Sequence, residues 1–285
     1  LQSKNGPLDF QPREPYAPIF DQMTATNQMA ELQITQEYLG HSKQLVFLAP
    51  MWEEYFSFVS PKKLKGIAGV ANIGLDANWC GHHFAQANWY AFGRLAWNPA
   101  LSSKTIAEEW VDQTFIKNSK IPAKKIRCPM KRKMNASQLL IERPTTLAKV
   151  QPMLIDMMLR SREACVNYMM PLGLHHIFKF DHHYGPEPMG FKEIYPIEWC
   201  PVYYHQADKQ GIGFNRSTTG TSATEQYPEP YRSLYNDPAT CPEEYLLWFH
   251  HVAWNQKMKS GRTLINELDH RYQQGVNEVI DFISI

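Results

Sequence analysis

This 285-residue chain has few cysteines, no charge excess, no long apolar run and no recognisable leader. Its five cysteines (Cys80, Cys128, Cys165, Cys200, Cys241) are odd in number, scattered, and form no Cys-x-x-Cys pair. That argues against a disulfide framework or a zinc knuckle. The 29 basic and 28 acidic residues nearly cancel, so no bulk field draws the chain to nucleic acid or to a membrane surface. No apolar stretch approaches the ~20 residues that cross a bilayer. The opening LQSKNG has neither an initiator methionine nor the charged-then-apolar pattern of a signal peptide, which leads us to expect the interior of a longer protein. The compartment (cytoplasm, periplasm or exterior) stays open, and the sequons at Asn135 and Asn215 are too short to decide it.

What is present is apolar and aromatic: 44% hydrophobic residues and 13% aromatic ones support a sizeable core. Three segments read as strands: LQSKNGPLDF, broken by Gly6-Pro7; MAELQIT, which alternates; and GIAGVANIG, a small apolar run suited to a parallel sheet. KQLVFLAP, between the second and third, is ambiguous by periodicity. FAQANWYAFGRLAW (84 to 97) is apolar on nearly every face, so we expect a helix packed on both sides with Trp89 and Trp97 in the core. Beyond Asn98-Pro99 the texture becomes helical. Thr105 to Glu108 has capping-box spacing and should open a helix running to about Phe115. TLAKVQPMLIDMMLRSREACVNYMM should be a long helix kinked near Pro152 and closed by PLG. CPEEYLLWFHHVAWNQKMKSG and TLINELDHRYQQGVNEVIDF give two more, separated from it by long ordered loops over 171 to 235. The reading is α/β, with one part at 1–98 and a helical part at 99–285.

Asp9 and Glu37 follow the first two strands, and paired carboxylates at strand ends are what glycosidic hydrolysis requires. Lys4, on the same segment as Asp9, would hold an acidic group of a substrate. The bland alternative is that both carboxylates cap helices or pair with Arg13 and Lys43. Paired histidines recur (82-83, 175-176, 182-183, 250-251), but neighbouring histidines on a helix diverge, so hydrogen-bonding histidines at surfaces are favoured over a metal site. KKIRCPMKRK (124 to 133) carries six positive charges without an aromatic platform, and reads as a solvated loop. Among the aromatics, Tyr184 and Trp199 lie in glycine-rich loops and are the better sugar-stacking candidates.

The stretches KNGPLDFQPREP, TNQMAELQITQEY, GIAGVANIG, GHHFAQANWYAFGRLAWNP, HHYGPEP, ADKQGIG and TCPEEYLLWFHHV run collinearly over most of the chain. Together they resemble the xylan α-1,2-glucuronidases, glycoside hydrolase family 67. The resemblance implies the last units of a (β/α)8 TIM barrel at 1–98 and a mostly helical C-terminal domain at 99–285, with an insertion at about 118–144. It implies release of (4-O-methyl)-D-glucuronic acid from xylo-oligosaccharides by inversion, with no metal or cofactor. The substrates expected are glucuronoxylan-derived oligosaccharides, with no nucleic acid or membrane partner, and a homodimer formed through the helical domain. On this resemblance Asp9 and Glu37 activate water and Lys4 contacts the uronate, while the general-acid glutamate lies upstream. A catalytically silent carbohydrate-binding or dimerisation piece is the alternative.

Overall fold

The computed structural model describes residues 1–5, 12–34, 45–71, 84–117, 136–179 and 185–285, with side chains of the long central helix described from 149 onward. Strands β1 (Gln2–Lys4), β2 (Gln28–Gln33) and β3 (Leu64–Val70) form a parallel sheet in the order β1-β2-β3. Lys4 is opposite Glu31, and Glu31 is opposite Ala68. Parallel neighbours need crossovers. The first contains the single turn α1 (Ile19–Gln22), the second the helix α2 (Ala49–Phe58), which Pro50 helps to start.

Alternation along β2 gives the sheet two unlike faces. Ala30 and Leu32 are buried toward the helices, whereas Met29 is exposed and Glu31 only half-buried. Against the covered face pack Phe20 from α1 and Trp52 and Tyr55 from α2, with Trp52 edge-on to Phe92 of the next helix. That helix, α3 (Ala85–Trp97), buries Ala87, Asn88, Ala91 and Leu95, a stripe at helical spacing. Its other side is open: Trp97 is 87% exposed and Trp89 half-buried. The expectation of a helix packed on both sides is therefore overturned. The small apolar residues that make it look uniformly greasy do not cover two faces.

Asn88 also resolves the ambiguous KQLVFLAP run. Its amide accepts from Leu48 N and donates to Val46 O, both at 2.9 Å, and Ser161 Oγ accepts from Phe47 N at 2.9 Å. Side chains satisfy this backbone, so residues 46–48 are buried without belonging to a strand or a helix.

Helix α4 (Ser103–Val111) begins before the expected box, because Ser102 is the N-cap and accepts from Thr105 N at 3.1 Å. A π-helical turn, Asp112–Lys117, prolongs it. Helix α5 (Ala136–Met169) is longer than expected and continues through Pro152. It ends where Leu172 and Gly173 take positive φ (56° and 84°), in the PLG stretch. Short helices α6 (Pro201–His205) and α7 (Tyr231–Asn236) interrupt the long loops.

The helix expected over CPEEYLLWFHHV is reduced to a 3-10 turn and a single α-turn, α8 (Leu246–Phe249). The chain then forms β5 (Val252–Ala253), paired antiparallel with β4 (Gly211–Ile212). Residues 245–249 are all buried, and an apolar run without a polar face carries no period to distinguish these outcomes. The final helix α9 (Leu264–Ile283) matches its expectation and packs along α5. A Cβ at Gly275 would lie 2.5 Å from Ala164 O and 2.7 Å from Tyr168 N, so only glycine permits this approach.

Candidate functional site

Lys4 closes β1 as an exposed residue beside Glu31, which itself accepts from Gln2 Nε2 at 2.6 Å. Parallel register puts paired side chains on the same face. The Lys4–Glu31 pair thus shares the face that no described helix covers. Asp9, Glu37 and Tyr184 lie outside the described residues. So do His82, His83, His182 and His183, and the basic run 124–133.

Around Pro12 and Arg13 the described residues build a dense charged cluster. Arg162 of α5 donates from Nε to Pro12 O (2.8 Å), from Nη2 to Glu54 of α2 (2.6 Å) and from Nη1 to Glu163 (2.6 Å). Arg13 grips both oxygens of Glu163, at 2.7 and 3.1 Å, and lies 3.5 Å from Glu54. Tyr245 donates to the second Glu54 oxygen at 2.7 Å. Arg13 therefore answers to α2 and α5 among the described residues. The Arg162 side chain is only 4% exposed.

Two cations and two anions offset one another here. Burial pushes the Glu54 and Glu163 carboxyls upward, but the nearby Arg162 and Arg13 charges outweigh it and hold both below the ordinary value. Burial together with Glu54 raises the Tyr245 hydroxyl well above its usual range, so it stays a donor. A narrow cavity of about 20 Å³, room for roughly one water, adjoins the cluster at the carboxyl ends of β1 and β2. Asn5, Arg13, Gln33, Trp52 and Glu54 help to line it. None of these charged partners was singled out as functional from sequence. The available signal was the adjacent charge pair Arg162-Glu163, which precedes the apolar ACV of α5.

Trp199 ends a 3-10 turn and is 59% exposed, with its ring stacked 6.5 Å from Tyr195. A broad exposed face suits sugar stacking. His175, His176 and His250 are buried rather than at the surface as expected. His175 and His176 pack at 4.4 Å and both meet Tyr204. The neighbouring His205, fully buried, has ring nitrogens 2.9 Å from Pro188 O and His175 O, tying two loops together. Among the described residues no three His, Cys, Asp or Glu side chains are placed to share a metal ion.

The charged cluster and its cavity adjoin the carboxyl ends of parallel strands, where α/β proteins commonly assemble their sites. Residues 1–61 match the model of the glycosyl hydrolase family 67 middle domain, and residues 80–146 and 140–284 match that of the family 67 C-terminus. The chain belongs to glycosyl hydrolase family 67. It is 34% identical over its whole length to alpha-glucuronidase A of Emericella nidulans. The probable alpha-glucuronidase A of Aspergillus clavatus is 33% identical over the whole chain, and the alpha-glucuronidase A of Aspergillus tubingensis 32% over 99% of it. The chain spans about a third (32%) of the length of these relatives.

Proposed function

We propose that this chain carries the water-activating half of an inverting α-glucuronidase. The enzyme would release (4-O-methyl)-D-glucuronic acid from α-1,2-substituted xylo-oligosaccharides. The observation that supports the reading is the family match, the middle-domain model over residues 1–61 and the C-terminal model from 80 to 284, beside relatives named alpha-glucuronidase A that align over the whole chain. In this reading residues 1–98 are the last units of a (β/α)8 barrel, and 99–285 form the helical domain. The uncovered face bearing Lys4 and Glu31 would then look into the barrel. That would account for a parallel sheet lacking helices on one side, since such sheets are otherwise covered on both.

The chemistry follows from the residue types. Lys4 fixes the uronate carboxylate as a point charge. Asp9 and Glu37 would share the water that attacks. Two close carboxylates raise one another's proton affinity, which makes a better base. The base takes a proton from water as its oxygen attacks the anomeric carbon, and the bond from that carbon to the xylose oxygen breaks. The departing oxygen takes its proton from the acid supplied upstream. Tyr184 and Trp199 would stack against the xylose backbone. A homodimer through the helical domain belongs to the same proposal.

The exposed Trp199–Tyr195 stack favours a second reading, a catalytically silent carbohydrate-binding piece. Substitution separates the two. In the complete protein, Asp9→Ala and Glu37→Ala should each lower kcat by about 10²–10⁴-fold while circular dichroism stays unchanged. Full activity in both variants would sink the catalytic reading. The 285-residue segment expressed alone should release no glucuronic acid.

A further inference from the structure

We propose that the cleft where the loop around β4 meets His251 binds the hydroxyls of a neutral xylo-oligosaccharide, with Asp208 and His251 as its polar anchors. The ligand class rests on the xylan-active reading given above. Two stretches that carry the family resemblance meet here without a role in that reading: ADKQGIG supplies Asp208, and TCPEEYLLWFHHV supplies His251. The cleft has a volume of about 350 Å³, within the range of small-molecule sites, and Gln206, Gln210, Phe214 and Asn215 also line it.

Its polar side chains are each held at one atom and open at another. Asp208 Oδ1 accepts from Gln210 N at 2.7 Å and Gly211 N at 2.9 Å, which leaves Oδ2 with no hydrogen bond among the described residues. His251 Nδ1 lies 3.0 Å from Gly213 O, so the neutral ring carries its proton there and presents Nε2 as an acceptor. Nε2 is 3.6 Å from Asp208 Oδ1, too far for a direct hydrogen bond. Gln206 donates from Nε2 to Tyr203 O and keeps Oε1. The backbone is committed as well. β4 and β5 pair so closely that a Cβ at Gly211 would lie 2.1 Å from Val252 O, and Trp254 Nε1 donates to Asp208 O at 2.8 Å. Gln206 sits at φ 48°, a left-handed conformation that a non-glycine residue holds only where its surroundings impose it.

Acceptors predominate, and no lysine or arginine is among the described residues lining the cleft. The Asp208 charge repels an anion such as a uronate, so a neutral ligand rich in donors fits, and sugar hydroxyls are such donors. A metal ion is poorly served, since no three His, Cys, Asp or Glu side chains gather among the described residues.

The test is calorimetric titration of the complete protein with xylohexaose, which carries no uronate. Asp208→Asn keeps the acceptor at the turn but puts an amide nitrogen in place of the open oxygen. His251→Asn keeps a donor toward Gly213 O and deletes Nε2. Each should raise the Kd for xylohexaose about tenfold, the scale of one lost hydrogen bond, while kcat and KM for a short aldobiouronic acid stay parental. Either folded variant with the parental Kd overturns the proposal, and so does a parent that does not bind xylohexaose. If one variant fails to fold, the other decides; if neither folds, a parental crystal soaked in xylohexaose decides by whether sugar lies in the cleft. A Tm raised by Ca²⁺ or Mn²⁺ in the parent but not in Asp208→Asn would make this a cation site and overturn the proposal too. The two readings fail separately. A parent that releases no glucuronic acid sinks the catalytic one, whereas xylohexaose binding alone decides the cleft.

Discussion

Among the described residues two clusters of arginine and glutamate are built from the same groups and differ in reach. In the first, Arg13 and Arg162 hold Glu54 and Glu163, joining the turn after β1 to α2 and α5, with Tyr245 as a further donor. In the second, Glu267 accepts from Ser260 Oγ (2.6 Å), Arg271 Nε (2.8 Å) and Arg262 Nη1 (3.2 Å), all within one turn-and-helix stretch. The local cluster secures the start of α9. The long-range one makes two parts of the chain depend on one another. Identical chemistry thus serves a helix end in one place and a long-range contact in the other, and sequence separation is what distinguishes them.

The largest effect should come from Arg162→Met. It strips a 4%-exposed cation from two carboxylates, leaving Arg13 as the arginine that offsets both, and should cost about 3–5 kcal/mol, the range for breaking a buried ion pair. Thermal or denaturant unfolding of the complete protein checks this. A loss below ~1 kcal/mol, the range of exposed pairs, would show that the cluster is solvated.

Acid should probe the local cluster next. Burial raises the Glu267 carboxyl, but the bonds from Ser260, Arg271 and Arg262 outweigh it and bring it down to about 2. A depressed folded value means the stabilisation is fully present above the ordinary carboxylate range. It is lost as the pH falls from about 4.5 toward 2. The contribution is on the order of 3 kcal/mol, and in Glu267→Gln the acid-induced fall in stability should be shallower by that amount. Superimposable pH–stability curves would contradict the assignment.

The smallest effect should come from the basic run. Neutralising Lys124, Lys125, Arg127, Lys131, Arg132 and Lys133 should leave hydrolysis unchanged and shift stability by no more than about 0.5 kcal/mol, as for ordinary surface positions. A marked rise in KM for the uronate substrate would instead make this run a substrate contact.

Much of the sheet was legible from residue order. β2 overlaps the expected MAELQIT because a period of two survives in the local sequence, and β3 overlaps the first five residues of the expected GIAGVANIG, a small apolar run. α9 was legible for the same reason at a period of 3.6. Three errors share the opposite cause. Trp97 is 87% exposed on a helix that reads as apolar all round. LLWFHHV bends from a turn into β5 because its backbone pairs with Gly211–Ile212, some 40 residues earlier. Ser102 rather than Thr105 caps α4, since either hydroxyl fits the pattern and only backbone direction chooses between them.

For the candidate site, sequence by itself determined the family and the residue types at positions 4, 9 and 37. Motifs of this length are contiguous, and chemistry written in contiguous residues needs no fold to be read. The tertiary structure alone decided that Lys4 ends a strand on the sheet's uncovered face, and that Arg162 holds Pro12 across 150 positions of chain. No periodicity encodes such a contact. It exists because α5 packs beside Pro12, and a buried guanidinium must satisfy its donors with whatever acceptors the packing brings within reach.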